Sequence, residues 1–248
     1  MRIPRIHVDA ELSPGLELAL EAGAARHVVR VLRLQVGQAL ILFDGRGGDY
    51  RATITAAARD DVRVQVGIHE DSECESPVDI VLVQGISRGD RMDYAVQKAV
   101  ELGVSRVVPV IAERSVVQLK GERAERRRSH WQRVAVGACE QCGRNRIPRV
   151  EEPIGLNRWL AQWPGGSGLL LSPRAESTLR TLSPPEGTVT LLIGPEGGLT
   201  EGEERQAVAR GFTGVRLGPR ILRTETAAVA MLAALQTWWG DFAAPEQG

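Results

Sequence analysis

The sequence predicts an α/β protein in which a small β-barrel precedes a larger domain built on a mainly parallel sheet. The first part of the chain contains short alternating segments separated by glycine turns, which is typical of a small barrel. From Asp79 onward, apolar strands alternate with helical segments, which predicts a parallel sheet covered on both faces. Between these parts, the segment from Glu70 to Pro77 is polar and breaks both patterns. We therefore place the barrel at 1–72, a linker at 73–77, the larger domain at 78–242 and a flexible tail at 243–248.

The elements of the small domain follow from alternation and turn chemistry. Ala39–Phe43 is an apolar strand, and the glycine-rich turn after it leads into a second strand at Tyr50–Ile54. Asp61–Val66 alternates polar and apolar side chains without a break, which predicts one wet face and one buried face. We expect one or two helical turns at Ala24–Leu32.

The larger domain begins with a buried strand at Asp79–Gln84 and a helix at Met92–Leu102, which Gly103 ends as a C-cap. Ligands in sheets of this kind bind beyond the carboxyl ends of the strands. The remaining predicted elements are a strand at Val107–Ala112, a long basic helix at Arg123–Arg144, strands at Leu169–Leu171, Val189–Ile193 and Gly214–Leu217, and a last helix from about Glu225 to Trp239 with Thr224 as its N-cap.

The composition is that of an ordinary globular protein, with 43% hydrophobic residues, 25% charged residues and a formal net charge of zero. The charge gives no general attraction to nucleic acid, so a polyanion site must come from local arginine clusters. Three cysteines argue against a disulfide framework and fit a reducing cytosol, and the single C-x-x-C at Cys139 and Cys142 lacks the further ligands that zinc needs. The N-terminus has no signal segment, and the longest apolar run, Ala227–Leu235, is too short to cross a bilayer. We expect a cytoplasmic protein with no metal.

Two loops carry the strongest chemical signal. After the strand that ends at Ile193, the residues Gly194-Pro195-Glu196-Gly197-Gly198 form a glycine-rich loop, and Thr200 and Glu203 are spaced as a capping box for the next helix. Such a loop lets backbone amides approach a nucleotide-like cofactor, although it matches neither the dinucleotide fingerprint nor the Walker A motif. The alternative is a tight strand-to-helix turn.

The second loop follows one helix and one strand later. Leu217-Gly218-Pro219-Arg220-Ile221-Leu222-Arg223-Thr224-Glu225 places two arginines, a threonine and a glutamate before a helix start, which suits an anion or a hydroxyl group. A capped, salt-bridged turn is the alternative for this loop alone. The strand end at Leu171-Ser172-Pro173-Arg174 could form a third wall.

Arginine clusters on both domains could neutralise phosphates, although a solvated helix face is the usual explanation of such clusters. In the small domain the cluster is Arg26, His27, Arg30 and Arg33, with Arg2 and Arg5 as companions from the N-terminus. In the larger domain they are Arg123, Arg126, Arg127 and Arg128 with His130 and Trp131 on the long helix, followed by Arg144, Arg146 and Arg149.

The paired loops, with motifs along nearly the whole chain, resemble the RsmE-type 16S ribosomal RNA uracil-N3 methyltransferases of the SPOUT class. The supporting motifs are Met1–Arg5, His27-x-x-Arg30-Val31-Leu32-Arg33, Phe43-Asp44-Gly45, Ser87–Met92, Gln97-Lys98-x-x-Glu101-Leu102-Gly103 and Glu140–Arg146 with Pro148. Their order and spacing make the resemblance specific.

The resemblance implies a PUA-like RNA-binding barrel, a SPOUT α/β domain with a trefoil knot, S-adenosylmethionine as cofactor and a homodimer. It implies that the substrate is one uridine, U1498, of 16S rRNA in the small ribosomal subunit. The implied RNA-binding residues are Arg2, Arg5, His27, Arg30, Arg33, Arg88, Arg144 and Arg146.

The resemblance also implies site residues. Methyl transfer to uracil N3 needs the N3–H proton removed, so we expect Arg223 or Arg220 to stabilise the uracil anion and Glu196 or Glu225 to accept the proton or anchor polar groups. The expected cofactor-binding residues are Leu171, Ser172, Ile193, Gly194, Pro195, Glu196, Gly197, Gly198, Leu217, Gly218, Ile221, Leu222, Arg223, Thr224 and Ala227.

Two other functions fit less of the chain. A non-catalytic RNA-binding or ribosome-assembly protein on the same scaffold would have no affinity for the cofactor. A small-molecule enzyme that uses the glycine loop for a nucleotide cofactor would be active without RNA, and it would leave the basic barrel unexplained.

Overall fold

The structure is a computed structural model that describes residues 3–58 and 61–242. The chain forms two compact units. The first unit runs to Glu75 and also takes in Cys139–Ile147, whereas the second contains Ser76–Ala138 and the chain from Pro148 onward. The sequence prediction assigned each domain one continuous segment, so this return of the chain to the first unit is a difference from it. The predicted positions Arg2 and 243–248 lie outside the described residues.

The first unit is built on a five-stranded sheet with the order β1-β3-β4-β5-β2. Its strands alternate in burial as the sequence predicts, because Val62, Val64 and Val66 point into the core while Arg63 is exposed. The elements are β1 Arg5–His7, β2 Glu17–Ala19, α1 Ala22–Arg26, a π-helical turn at His27–Val31, β3 Ala39–Phe43, β4 Asp49–Ala57 and β5 Val62–Glu70.

The second unit is an α/β domain whose strand pairs are all parallel, with the order β12-β10-β11-β6-β7-β8 and β9 beside β7. The parallel sheet is therefore confirmed. The strands are β6 Ile80–Gly85, β7 Val104–Ile111, β8 Arg149–Val150, β9 Ile154–Gly155, β10 Ser167–Leu171, β11 Val189–Ile193 and β12 Phe212–Val215. The helices are α2 Asp90–Glu101, α3 Gly121–Cys142, α4 Leu156–Gln162, α5 Glu201–Ala209 and α6 Thr224–Trp238.

Helices cover both faces of this sheet. On one face, Val81 and Val83 of β6 pack in a cluster with Leu160 of α4 and Ala207 of α5. Side chains alternate along a strand, so the fully buried Leu82 points to the opposite face. There α2 packs against α6 and β7, and α6 packs on β11. Burial on both sides explains why β6 and β11 are apolar at nearly every position.

The predicted capping box is confirmed, because Thr200 Oγ1 accepts from Glu203 N–H and the Glu203 carboxylate accepts from Thr200 N–H. The predicted N-cap at Thr224 is wrong. Arg223 holds the N-cap position without a side-chain cap, and Thr224 is the first residue of α6. Its hydroxyl donates to Gly194 C=O instead, at 2.6 Å, because tertiary packing brings the two loops together.

No helix among the described residues is both long and apolar enough to span a membrane.

Candidate functional site

A cavity of about 420 Å³ opens at the carboxyl ends of β10, β11 and β12 in the second unit. Its volume is in the range of small-molecule and cofactor sites. The loops after these three strands form its walls, and all the positions predicted to bind the cofactor line it: Leu171, Ser172, Ile193, Gly194, Pro195, Glu196, Gly197, Gly198, Leu217, Gly218, Ile221, Leu222, Arg223, Thr224 and Ala227.

The loop after β11 depends on glycine because it runs close to other backbone. A Cβ atom on Gly194 would lie 3.0 Å from Leu199 N, and one on Gly197 would lie 2.9 Å from Arg114 Cβ. Gly198 has a φ of +69°, in the left-handed region that favours glycine. The loop therefore presents backbone rather than side chains to the cavity.

Thr224 joins the two predicted loops to the centre of the sheet. Its hydroxyl donates to Gly194 C=O at 2.6 Å and accepts from Gln84 Nε2 at 2.9 Å. Gln84 is the penultimate residue of β6, whose residues are all buried, and it is fully buried itself. Gly85 follows it, and a Cβ atom there would lie 2.3 Å from Pro195 N. The start of α6, the glycine loop and the end of β6 thus form one tightly packed corner.

The two predicted carboxylates meet at Arg91. Glu196 Oε1 accepts from Arg88 N–H at 2.9 Å and from Arg91 Nη1 at 3.2 Å. Arg91 Nε also lies 4.0 Å from Glu225 Oε1. Glu225 Oε2 is buried and has no hydrogen-bond partner among the described residues. Arg91 therefore ties the two predicted loops to the first turn of α2, and one carboxylate oxygen of Glu225 has no donor within the described part of the chain.

The third wall follows β10, and its polar groups are paired with α5. Ser172 Oγ donates to Glu204 Oε1 at 3.2 Å, and Arg174 Nη2 lies 2.9 Å from the same oxygen. The hydrogen bond and the nearby charge of Glu204 raise the pKa of Arg174. This wall is thus held by a carboxylate that the sequence analysis did not assign to the site.

Arg220 and Arg223 line the cavity from its last loop. Both are exposed, and neither forms an ion pair within the part of the chain that the structure describes. Their guanidinium groups are therefore available to an anionic ligand.

Comparison with known proteins shows which family the chain belongs to. The RNA methyltransferase domain family matches residues 74–236, and the RNA methyltransferase PUA domain family matches residues 20–67. The ribosomal RNA small subunit methyltransferase E of Buchnera aphidicola is 32% identical over 97% of this chain and 96% of its own. The chain belongs to the ribosomal RNA small subunit methyltransferase E family.

Solved structures agree. The methyltransferase E of Neisseria gonorrhoeae, bound to S-adenosylmethionine, is 41% identical and has a TM-score of 0.91 over 97% of this chain and 100% of its own. A Legionella pneumophila structure in complex with the cofactor SAM is 38% identical, with a TM-score of 0.95 over 98% of this chain and 100% of its own. The predicted family and the PUA-like first domain are confirmed.

Residues predicted to bind RNA differ in their surroundings. Arg30 and Arg33 are exposed on the first unit, and His27 is half-buried beside them. Arg33 has a φ of +55°, which is uncommon for a residue other than glycine. Arg88 is exposed on the second unit, where its backbone N–H holds Glu196.

Other predicted RNA-binding arginines have structural partners in the first unit. Arg5 is buried against Asp49 and donates to Asn145 Oδ1. Arg144 is also buried, and its Nε donates to Glu75 Oε2 at 2.9 Å. These two guanidinium groups fasten the returning segment Cys139–Ile147 to the barrel rather than facing solvent. Arg146 is exposed, 3.7 Å from Glu73, and Arg2 lies outside the described residues.

Sequence reasoning missed several residues of the cavity wall. Arg91, Arg114 and Arg216 line it, as do Leu199 and Glu204. Arg91 lies six residues beyond the end of β6, and this strand ends at the same edge of the sheet as β11. The position of β6 next to β11 was the missing information, because strand order cannot be read from the alternation of strands and helices.

The three cysteines form no disulfide among the described residues. Burial raises the pKa of Cys139 to about 12, and all three thiols are free. Within the described residues there is no group of three His, Cys, Asp or Glu side chains placed to hold a metal.

Proposed function

We propose that this methyltransferase uses S-adenosylmethionine to methylate N3 of one uridine, U1498, of 16S rRNA in the small ribosomal subunit. The observation that carries the proposal is the cavity at three parallel strand ends, in which both family loops are fastened by Thr224. The relatives named as small-subunit rRNA methyltransferases support the RNA substrate, and the two neighbours with bound cofactor support the methyl donor.

The cavity fits this cofactor in both shape and chemistry. Apolar side chains of Leu171, Ile193, Leu222 and Ala227 offer surfaces to an adenine ring, and the glycine loop offers backbone groups within reach of a ligand. Larger residues at Gly194 and Gly197 would not fit, because an added Cβ atom would lie 3.0 Å from Leu199 N in the first case and 2.9 Å from Arg114 Cβ in the second. When bound, S-adenosylmethionine supplies an electrophilic methyl group.

The protein's own residues must hold the uracil ring, remove its N3 proton and exclude water. Arg220 and Arg223 are unpaired and exposed at the cavity, so either can place a guanidinium group against O2 or O4, where negative charge develops. The target base must also be unpaired or turned out of its stack to reach the cavity.

Between the two carboxylates, Glu196 lines the cavity whereas Glu225 stands next to the lining residue Thr224, and hydrogen bonding favours Glu225 as the proton acceptor. Glu196 already accepts from Arg88 N–H and Arg91, which fixes it as an anchor of the loop. Glu225 Oε2 lacks a donor among the described residues, and a proton acceptor needs such a free lone pair.

The rest of the proposal concerns assembly. We assign the first unit, with its exposed Arg30 and Arg33, to rRNA binding, and we expect a cytoplasmic homodimer. Half-exposed Trp238 on α6 supports a dimer, because large apolar side chains on a surface mark interaction sites. The path of the chain fits a trefoil knot. After the edge strand β12 the chain returns to the centre of the sheet, where Thr224 hydrogen-bonds Gln84 of β6.

The experiment that tests the function is mass mapping of methylated uridines in 16S rRNA. Cells that lack the protein should lose one N3-methyluridine, and the wild-type gene should restore it while Arg223→Ala should not. Calorimetry with S-adenosylhomocysteine should show binding to the purified protein. An unchanged methylation map together with no binding would refute the proposal and favour a non-catalytic RNA-binding protein.

A further inference from the structure

The N-terminal half of α3 carries a strongly basic surface that the proposed reaction does not use. In the set Arg123, Arg126, Arg127, His130 and Arg133, each residue lies three or four positions from at least one other member. They therefore share one side of the helix, which we call the basic face of α3. The helix packs through an adjacent side, where Trp131, Ala135 and Ala138 are buried.

The arginines of the basic face are not neutralised within the protein. Among the residues that the structure describes, Arg123, Arg126, Arg127 and Arg133 form no ion pair. The contrast is Arg128 on the same helix, which lies 2.7 Å from Glu125 and points away from this face. Four like charges along about 15 Å of helix repel one another, so a polyanion bound across them would be favoured.

The basic face adjoins the wall of the cavity through α2. His130 Nε2 lies 2.7 Å from Asp93 Oδ2, and Trp131 Nε1 donates to Asp93 Oδ1 at 3.1 Å. Asp93 is two residues along α2 from Arg91, which lines the cavity and holds Glu196. These contacts fix α3 against α2, the helix that also supplies Arg91 to the cavity wall.

We propose that the basic face of α3 binds the phosphate backbone of the rRNA strand whose uridine enters the cavity. This inference rests on the proposed function for the identity of the RNA. Phosphate is the partner that the surface fits, because Arg123, Arg126 and Arg133 are exposed and Arg127 is half-buried beside them, and arginines present planar forks of donors to phosphate oxygens. Such contacts set the position of a strand and carry no sequence information, so the choice of base stays with the cavity.

The test compares two double variants that remove the same charge. Arg126→Gln with Arg127→Gln weakens the basic face. Arg158→Gln with Arg210→Gln is the control. Both residues are exposed and form no ion pair among the described residues. They lie on α4 and at the end of α5, the helices that pack on the face of the sheet with Val81 and Val83, and so are not part of α3. The affinity of each variant for small ribosomal subunits, purified from cells that lack the enzyme, is measured over a fourfold range of salt concentration. The oligomeric state of each variant is measured by light scattering.

Each phosphate contact contributes about 0.7 to 0.9 to the slope of log affinity against log salt. If two contacts are lost, the salt slope of the α3 variant is smaller. Over a fourfold rise in salt, the factor by which the wild type loses affinity should then be about ten times the factor for the variant. The control should keep the wild-type slope. Affinity for S-adenosylhomocysteine should be unchanged in both variants, because neither touches the cavity.

A wild-type salt slope in the α3 variant would overturn the inference, as would an equal loss of slope in the control. A dimer that falls apart in the α3 variant, with RNA binding per chain unchanged, would also overturn it, because the face would then join two copies. Failure of the proposed function would be recognised separately. The wild-type protein would then not bind S-adenosylhomocysteine and would not transfer a methyl group, whatever the salt slopes of the variants.

Discussion

Replacing Thr224 by valine tests whether one hydroxyl fastens the two cofactor loops. Valine keeps the shape of threonine and removes the hydroxyl that donates to Gly194 C=O and accepts from Gln84 Nε2. Gln84 is fully buried, so its abandoned N–H costs about 1–3 kcal/mol. Gly194 is only partly buried and water can replace its donor, so its share is about 0.5–1.5 kcal/mol.

The free energy of unfolding of Thr224→Val should therefore fall by about 2–4 kcal/mol, measured by urea denaturation. The affinity for S-adenosylhomocysteine should fall about tenfold by calorimetry, because tenfold corresponds to 1.4 kcal/mol and only part of the loss reaches the bound loops. Thr224→Ser is the matched control. It keeps the hydroxyl and loses one buried methyl group, which costs about 1 kcal/mol in stability and little affinity.

The reasoning is refuted if valine matches wild type in both stability and affinity. It is also refuted if serine and valine are equally impaired, because packing of the methyl group would then matter and hydrogen bonding would not.

Three further predictions concern the site and the thiols. Arg223→Ala should lower the rate of methyl transfer about 10²–10³-fold while leaving cofactor affinity within threefold, measured with tritiated donor; an equal loss of affinity would assign the residue to cofactor binding. Glu225→Gln should reduce kcat about 10²–10⁴-fold in the same assay, whereas Glu196→Gln should mainly weaken cofactor binding; the reverse pattern would exchange their roles. Burial raises the pKa of Cys139 to about 12 and also raises the pKa of Cys74, but only Cys74 is exposed, so iodoacetamide at pH 8 should modify Cys74 in the folded protein and leave Cys139 unmodified, as measured by mass spectrometry, until urea is added.

Local signals in the sequence were sufficient for most of the longer strands and helices and for the two main loops, but not for short elements such as β1 and β2. The alternation at Val62–Val66 and the capping box at Thr200 depend on neighbours a few residues away, so the pattern itself contains the information. Glycines after apolar strands also mark loops at strand ends, which is why every predicted cofactor position lies at one cavity.

Electrostatic partners distant in sequence could not be predicted. From the sequence we predict that Arg5 binds RNA at the surface. In the structure it is buried against Asp49 and Asn145, and Asn145 is 140 residues away in the chain. An arginine looks the same in a sequence whether it faces water or a carboxylate. Only the fold, which brings the segment after α3 back to the barrel, decides between a phosphate contact and a structural ion pair.

The sequence by itself determined the two-part organisation, the parallel α/β class, the glycine loops and the resemblance to a methyltransferase family, because each of these is written in short-range periodicity or in a motif. Tertiary structure alone decided that β6 lies beside β11, that Arg91 therefore joins Glu196 to Glu225, and that the Thr224 hydroxyl fastens a loop instead of capping a helix. The physical reason is that strand order and ion pairing are set by long-range packing, and no local pattern records which distant groups will meet.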